Sequence, residues 1–459
     1  MGAQGDDDEA GRTQPAQGYR WCLASVVLIV VTLACFARVG ADCLWLVALG
    51  DRIREHGAVP DGIPFAAADT RGWPNAVVAA EVALSLTHSA GLPVLVLAQL
   101  VAAGGALVLL ALGARADGAT DVATARVLPL FALGSVAGLA IVRLQLFSLV
   151  PFAGLFWLLR SQHRRPTRGV LLLPLVVAVW TNLHGAVLLG VAVSGAYLLF
   201  SRLRTRPVET LAVGCATAVA VLATPEGLGT VSYYVGVATN EAARQHTGLW
   251  ARLSPTAPFD VALVLAGVVL LWLAVRRGLP LWEWVVLAGL TVATIGAARN
   301  GIWLLMWTVA PAALGASRGP AARAGQQGRL AAVALACAAA GATAVVLPRS
   351  GALLGVDADV VGSLANAAGD KVVLAPEPLA EALAADGATL WVLDPIDAFD
   401  RSDQRAYLEF IDHDDPSGAL SHVDVVIVDA DGEAAERMAD APGFTITDRQ
   451  GDWLLFERG

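Results

Sequence analysis

The chain has 459 residues, 56% of them hydrophobic and only 15% charged, with a mean hydropathy of +0.62. Soluble domains carry about a quarter charged residues, so this composition excludes an ordinary water-soluble globule. The net charge of −9 is uneven: residues 350–459 hold 23 acidic against 6 basic side chains, and the remainder 17 against 25, which separates a basic apolar part from an acidic tail.

In chain order, residues 1–20 are polar and low in apolar content and are predicted to form a disordered cytoplasmic tail. Apolar runs then fall at about 21–39, 92–113, 127–142, 145–160, 169–182, 185–201, 209–224, 259–275, 281–298, 301–317 and 330–347, which predict eleven transmembrane helices within a membrane domain over 21–348. A signal peptide does not account for a pattern that continues this far. Residues 76–90 read as a further helix, too polar at Glu81 and His88 to be a span. The five cysteines, 22, 35, 43, 215 and 337, form neither a disulfide framework nor a metal-binding spacing.

Arginines in short connections set the predicted orientation. They cluster at 160–168, 202–206, 276–277 and 318–329. With these on the cytoplasmic side of the plasma membrane, the N-terminus is inside. The loops 40–91 and 225–258 and the tail 349–459 are outside. The first loop holds an amphipathic stretch, LWLVALGDRIREHG, expected to lie on the membrane surface. The tail reads as a small soluble α/β domain. KVVLAP, TLWVLDP and VDVVIVD are its strands, PLAEALAADG and RSDQRAYLEFID its helices, and FTITDRQGDWLLFER a closing hairpin. It contains no GxGxxG, P-loop or nucleophile elbow.

On that orientation four groups of polar residues reach the outer face: Asp42; Arg143 and Gln145; Asn182 and His184; Arg299 and Asn300. Ionised groups at membrane depth are costly and tend to face a cavity or an anionic partner. One carboxylate among arginines, a histidine and amides suits an anionic ligand, and the arginine fork suits phosphate. Each also has a structural alternative. Asp42 is then a helix cap, Arg143 and Arg299 snorkelling side chains, Asn182 and His184 interhelical hydrogen-bond partners, and Glu81 a solvated residue. Tyr233, Tyr234 and Trp250 in the second loop fit an interfacial belt or a surface for sugar stacking.

The run D-x-x-W-x(4)-G-x-x-I-x(3)-G-x-x-P-x(3)-P-F over Asp42, Trp45, Gly50, Ile53, Gly57, Pro60, Pro64 and Phe65, followed by RLQLFS (143–148), WTNLHG (180–185), TPEG (224–227) and ARNG (298–301), resembles a group of bacterial multi-pass proteins related to the GT-C glycosyltransferases. Protein O-mannosyltransferases and lipid A aminoarabinose transferases share that architecture. The resemblance implies a GT-C-like transmembrane fold and transfer of a sugar from a polyprenyl-phosphate carrier to an envelope glycan, lipid or protein, outside the membrane and with inversion. It implies Asp42 as general base. Arg143, His184 and Arg299 would hold the carrier phosphate, with Gln145, Asn182 and Asn300 beside them. Many such enzymes have two adjacent acids where this chain has Asp42–Cys43, so metal use is unsupported and no metal ligands are assigned. Asp51 and Asp61 are candidate second acids. The lipid bilayer and the lipid-linked sugar are the expected partners, and nucleic acid is not. A transporter or flippase of lipid-linked glycans, or a non-catalytic envelope scaffold, are the alternatives.

Overall fold

The computed structural model describes residues 18–318 and 327–459. Most of the predicted N-terminal tail, and Arg323, lie outside the described residues. The helices are α1 (Arg20–Ala34), α2 (Leu44–His56), α3 (Val78–His88), α4 (Leu92–Ala116), α5 (Asp121–Gly134), α6 (Val136–Ala140), α7 (Leu146–Arg164), α8 (Leu172–Trp180), α9 (Val187–Tyr197) and α10 (Pro207–Ala220). They continue with α11 (Gly229–Thr239), α12 (Glu241–Gln245), α13 (Pro258–Val275), α14 (Leu281–Gly296), α15 (Gly301–Ala316), α16 (Gln327–Val346), α17 (Ala358–Ala368), α18 (Leu379–Ala385), α19 (Arg401–His413) and α20 (Glu433–Ala439). The strands are β1 (Arg38–Val39), β2 (Ile141–Val142), β3 (Val372–Leu374), β4 (Thr389–Leu390), β5 (Val425–Asp429), β6 (Phe444–Gln450) and β7 (Trp453–Arg458).

The helices do not by themselves give the count of eleven spans. Among the described residues three are long and apolar enough to cross a bilayer: Leu92–Ala116, Pro258–Val275 and Gly328–Ala352. Most of the other runs form shorter helices, and α7, at 19 residues, ends in the polar stretch RSQHR. The run at 127–142 breaks at Ser135 into α5 and α6 and ends in β2, and that at 185–201 passes from α9 into a π-helical turn at Leu198–Arg202. Continuous hydrophobicity does not register such breaks, because a turn costs the sequence no apolar residue.

The Leu92–Ala116 span is 61% buried and so forms a central pillar, packed on α1, α7, α15 and α16, whereas Pro258–Val275 is only 22% buried and sits at the periphery. Peripheral helices turn Leu265, Val268, Trp272, Val292 and Ile295 outward, the surface of a protein surrounded by lipid rather than water. At the far end of α4, Asp117 pairs with Arg160 and Arg164, and Arg160 with Glu283. Asp121 caps α1 from across the molecule, accepting from the backbone N–H of Trp21 (3.0 Å) and Cys22 (2.9 Å).

The C-terminal strands form one mixed sheet in the order β4-β3-β5-β7-β6, with β3 parallel to β4 and β5, and β5–β7 and β7–β6 antiparallel. Each predicted strand and helix of the tail is present, although TLWVLDP yields only two strand residues. The first long loop joins this sheet at its β4 edge. The Ala67 N–H donates to Leu390 O (2.7 Å), and the Leu390 N–H donates to Phe65 O (2.9 Å). The second long loop meets α19, where the Glu241 N–H donates to Gln404 Oε1 (2.8 Å) and Arg405 pairs with the Glu241 carboxylate (3.1 Å).

Helix α2 differs from the surface helix expected of its sequence. Leu44 to Gly50 and Ile53 are buried, packed on α3 on one side and α18 on the other. An amphipathic stripe records only that one face is covered, and here protein covers it. Gly50 makes the α2–α3 approach possible: a Cβ there would stand 2.2 Å from Glu81 O and 2.8 Å from Ser85 Cβ. Gly50→Ala therefore overpacks this contact and is expected to cost about 1–3 kcal/mol, measured as a lower thermal unfolding midpoint in detergent.

Candidate functional site

Three local features bring distant residues together. The first is a two-residue parallel ladder, with Arg38 opposite Ile141 and Val39 opposite Val142, extended by the Gly40 N–H donating to Val142 O (3.1 Å). The chain that continues as Gly40–Ala41–Asp42 therefore runs beside Arg143. Gly40 is needed for this, since a Cβ would stand 2.4 Å from Ile141 Cγ2 and 3.2 Å from Arg143 Nε.

The second is the spacing D-x-x-W. Asp42 has φ +72°, a left-handed conformation that non-glycine residues seldom adopt, and the chain then enters α2. Its Oδ1 accepts from the indole N–H of Trp45 at 3.1 Å. The third is the turn Ala298–Asn300, tied to the second outer loop by the Ala298 N–H donating to Ala251 O (2.9 Å). It lays the Arg299 guanidinium 3.9 Å from the centroid of the Trp250 ring, so the arginine is held flat by a cation–π contact.

These features surround a cavity of about 500 Å³. Arg143, Gln145, Trp250 and Arg299 line it from the membrane part. Glu377, Asp394 and Tyr407 line it from the C-terminal part, with Ala41 between them. Arg143 Nε and Gln145 Nε2 are buried without a hydrogen-bond partner among the described residues. Buried donors rarely stay unsatisfied, so both are available to a ligand. Burial raises the Asp42 carboxyl to about 6, while the Trp45 hydrogen bond and the positive charges of Arg299 and Arg143 pull it back.

The remaining sequence candidates lie around this cavity rather than in it. His184 Nδ1 is 2.6 Å from Ser148 Oγ, which also accepts from Trp180 Nε1 (2.6 Å), so RLQLFS and WTNLHG interlock through one hydroxyl. The Asn182 amide donates to Ala178 O (2.9 Å) and Ala223 O (2.6 Å), and the Asn300 amide to Ala293 O (3.0 Å); both are engaged with backbone. Asp51 accepts from Ser85 Oγ (2.5 Å) and pairs with Arg54, and Asp61 accepts from the Gly72 N–H (2.7 Å). Glu81 is fully buried and accepts from Asn75 Nδ2 (2.9 Å).

The acids close to Asp42 come from elsewhere. The Glu381 carboxylate accepts the backbone N–H groups of Asp42 (2.5 Å), Cys43 (3.0 Å) and Leu44 (2.8 Å). Glu377, Glu381 and Asp394 each offer an oxygen within 4.8 Å of the others, the one group among the described residues with the spacing of a metal site. Burial raises all three carboxyls, and the neighbouring Glu377 carboxyl adds to the rise at Glu381 and Asp394. Tyr407 donates to Glu377 (2.9 Å), and Trp73 donates to Asp397 (3.0 Å). One signal for Glu381 is present in the sequence. It is the only charged residue of α18, LAEALAA, a helix without a polar face, and a charge in such a place needs a partner.

Neither a family model nor a curated protein matches the sequence. Among solved structures the chain is similar to ArnT from Cupriavidus metallidurans in the apo state, with 14% identity and a TM-score of 0.55 over 96% of this chain and 98% of that one. It is also similar to ArnT from Cupriavidus metallidurans bound to undecaprenyl phosphate, with 12% identity and a TM-score of 0.55 over 95% and 97% of the two chains. At this identity the likeness is one of fold: the chain has the fold of ArnT, an aminoarabinose transferase of the GT-C glycosyltransferases that its motifs resemble.

Proposed function

We propose that this protein is a plasma-membrane glycosyltransferase that moves a sugar from a polyprenyl-phosphate carrier to a hydroxyl of an envelope acceptor. The observation that carries the reading is a cavity lined by Ala41, Arg143 and Arg299, with the Asp42 carboxylate next in the chain and within electrostatic reach of both arginines, in a chain with the ArnT fold. That a protein of this fold binds undecaprenyl phosphate supports the assignment of the carrier. In this reading residues 21–348 form the membrane domain and cross the bilayer about eleven times, several spans being built from short helices. The N-terminus is cytoplasmic and residues 349–459 are extracytoplasmic.

The chemistry follows from the charges. The Asp42 carboxylate takes the proton of the acceptor hydroxyl as its oxygen attacks the anomeric carbon. The bond from that carbon to the carrier's phosphate oxygen breaks on the opposite face, with inversion. Negative charge grows on the leaving phosphate, where Arg143 and Arg299 offset it. Trp250 holds the Arg299 plane, which reduces the ordering left for the ligand to impose. His184 acts on the same region through Ser148 rather than by direct contact with the cavity.

Three predictions test this. Asp42→Asn keeps carrier binding and lowers transfer by about 10²–10⁴-fold, measured as loss of the envelope glycan or glycolipid that a deletion strain lacks and the wild type restores. Unchanged product in the Asp42→Asn strain overturns the reading. Because the base must be ionised and its carboxyl is raised to about 6, transfer is present above that pH and falls as the pH drops through it, in a pH–rate profile of purified protein. Arg143→Ala and Arg299→Ala each remove a charge-assisted contact worth about 1.5–3 kcal/mol, so undecaprenyl phosphate binding weakens by about 10–100-fold in a titration.

A further inference from the structure

The C-terminal part does more than close the cavity. Three consecutive amides, those of Asp42, Cys43 and Leu44, point at a single carboxylate that is more than 300 residues away in sequence. Leu44 begins α2, so these amides are the free N–H groups of that helix's first turn and of the residues leading into it. Neither Cys43, at the N-cap position, nor any other side chain at the start of the helix satisfies them. Glu381 does so from α18, which packs on α2 and is buried along Leu379–Ala384. Glu381 is itself fully buried, so its carboxyl oxygens have no water to rely on and are satisfied by these three amides.

The clamp has a particular position. Asp42 sits at φ +72°, a conformation of order 1–3 kcal/mol above the ordinary ones for such a residue, which persists only where surrounding contacts impose it. The ladder of β1 with β2 fixes the chain up to Gly40, and the Glu381 carboxylate fixes it from Asp42 onward. Between these two anchors the Asp42 carboxylate has one hydrogen-bond partner among the described residues, Trp45, which is itself in the first turn of the clamped helix. Removal of Glu381 therefore frees three amides and the backbone that aims Asp42 at once, and leaves the contact of Arg299 with Trp250 in place.

We propose that Glu381 is a positioning residue for transfer: the C-terminal part holds the Asp42 carboxylate in its reactive place by clamping the amides of residues 42–44. The proposal rests on the transferase reading for its consequence, but the clamp itself is measurable without it.

The experiment uses the full chain in detergent and the complemented deletion strain. Glu381→Ala and Glu381→Gln are compared with wild type, with Asp42→Asn and with Asp121→Asn. The last weakens another carboxylate cap from a distant part of the chain, on α1, which has no part in the cavity. Three quantities are read: hydrogen exchange of the peptide spanning residues 42–44, undecaprenyl phosphate binding, and product per folded protein. In Glu381→Ala, exchange at 42–44 becomes fast, undecaprenyl phosphate binding is retained, and product falls by about 10²-fold, the scale of a catalytic group displaced by about 1 Å. Glu381→Gln keeps one accepting oxygen but turns an NH₂ group toward the amides, so it falls between Glu381→Ala and wild type in both exchange and product. It also serves as the deciding variant where Glu381→Ala does not accumulate. Asp121→Asn lowers thermal stability and leaves product per folded protein and exchange at 42–44 unchanged. The proposal is overturned by unchanged exchange at 42–44, by faster exchange with full product, or by loss of undecaprenyl phosphate binding together with product. A strain that keeps its product with Asp42→Asn rejects the transferase reading instead, and the exchange result then still decides whether the clamp exists.

Discussion

Two residue pairs hold the candidate site in register. Arg38 and Val39 run parallel to Ile141 and Val142, and this short ladder decides that Asp42 meets Arg143 rather than some other side chain. A parallel pairing joins segments that are far apart in sequence, so a two-residue piece of sheet can fix what a helix bundle leaves free to slide. Helices packed through apolar ridges tolerate small translations, because one methyl group resembles the next. A hydrogen-bonded ladder does not, since a shift by one residue reverses every side chain. The catalytic geometry proposed for this protein therefore depends on β-structure placed among helices.

Around that ladder the motif residues turn out to be mutual contacts. Asp42 and Trp45 are hydrogen-bonded, Gly50 admits Glu81 of α3, and Phe65 pairs through its backbone with Leu390. Ser148 of RLQLFS holds Trp180 and His184 of WTNLHG, Glu226 of TPEG accepts the Asn75 N–H (3.2 Å), and Gly301 of ARNG makes room for Leu263. Most of these residues therefore build the walls rather than perform chemistry. That explains why the functional and structural readings of Asn182 and His184 were so hard to separate in the sequence: a polar residue that fixes a cavity wall and one that faces the cavity obey the same pattern.

The sequence made some things legible and not others for physical reasons. The helical membrane part, the α/β tail and its hairpin follow from period and composition, which are local. The breaks within the apolar runs do not, because a break at Ser135 or a π turn at Leu198 leaves hydrophobicity unaltered. The surface placement of α2 failed for a related reason: amphipathicity reports that a face is covered and is silent about whether lipid or protein covers it. Arg143, Gln145 and Arg299 stood out because charged and amide groups are conspicuous in apolar surroundings. Glu377, Glu381 and Asp394 did not, because the tail holds 23 acidic residues and a functional carboxylate is hidden among solvated ones. Only the apolar character of α18 on all sides distinguishes Glu381 from the rest.

The charges of the site also limit what it can bind. Arg143 and Arg299 form no ion pair among the described residues, and Glu377 and Asp394 line the opposite wall, with an oxygen of Glu381 within 4.8 Å of both. Were the two sets simply to neutralise each other across the cavity, they would close it, since opposite charges in a low-dielectric space attract strongly. They are kept apart by separate partners: Trp250 under Arg299, three amides on Glu381, and Tyr407 on Glu377. The result is a space with a positive wall and a wall of carboxyls whose protons are held tightly. An anionic group is drawn to the first wall and repelled by any ionised carboxyl of the second, while hydroxyl groups find acceptors there. That polarity suits the proposed ligands, a lipid phosphate on one side and a sugar or acceptor hydroxyl on the other.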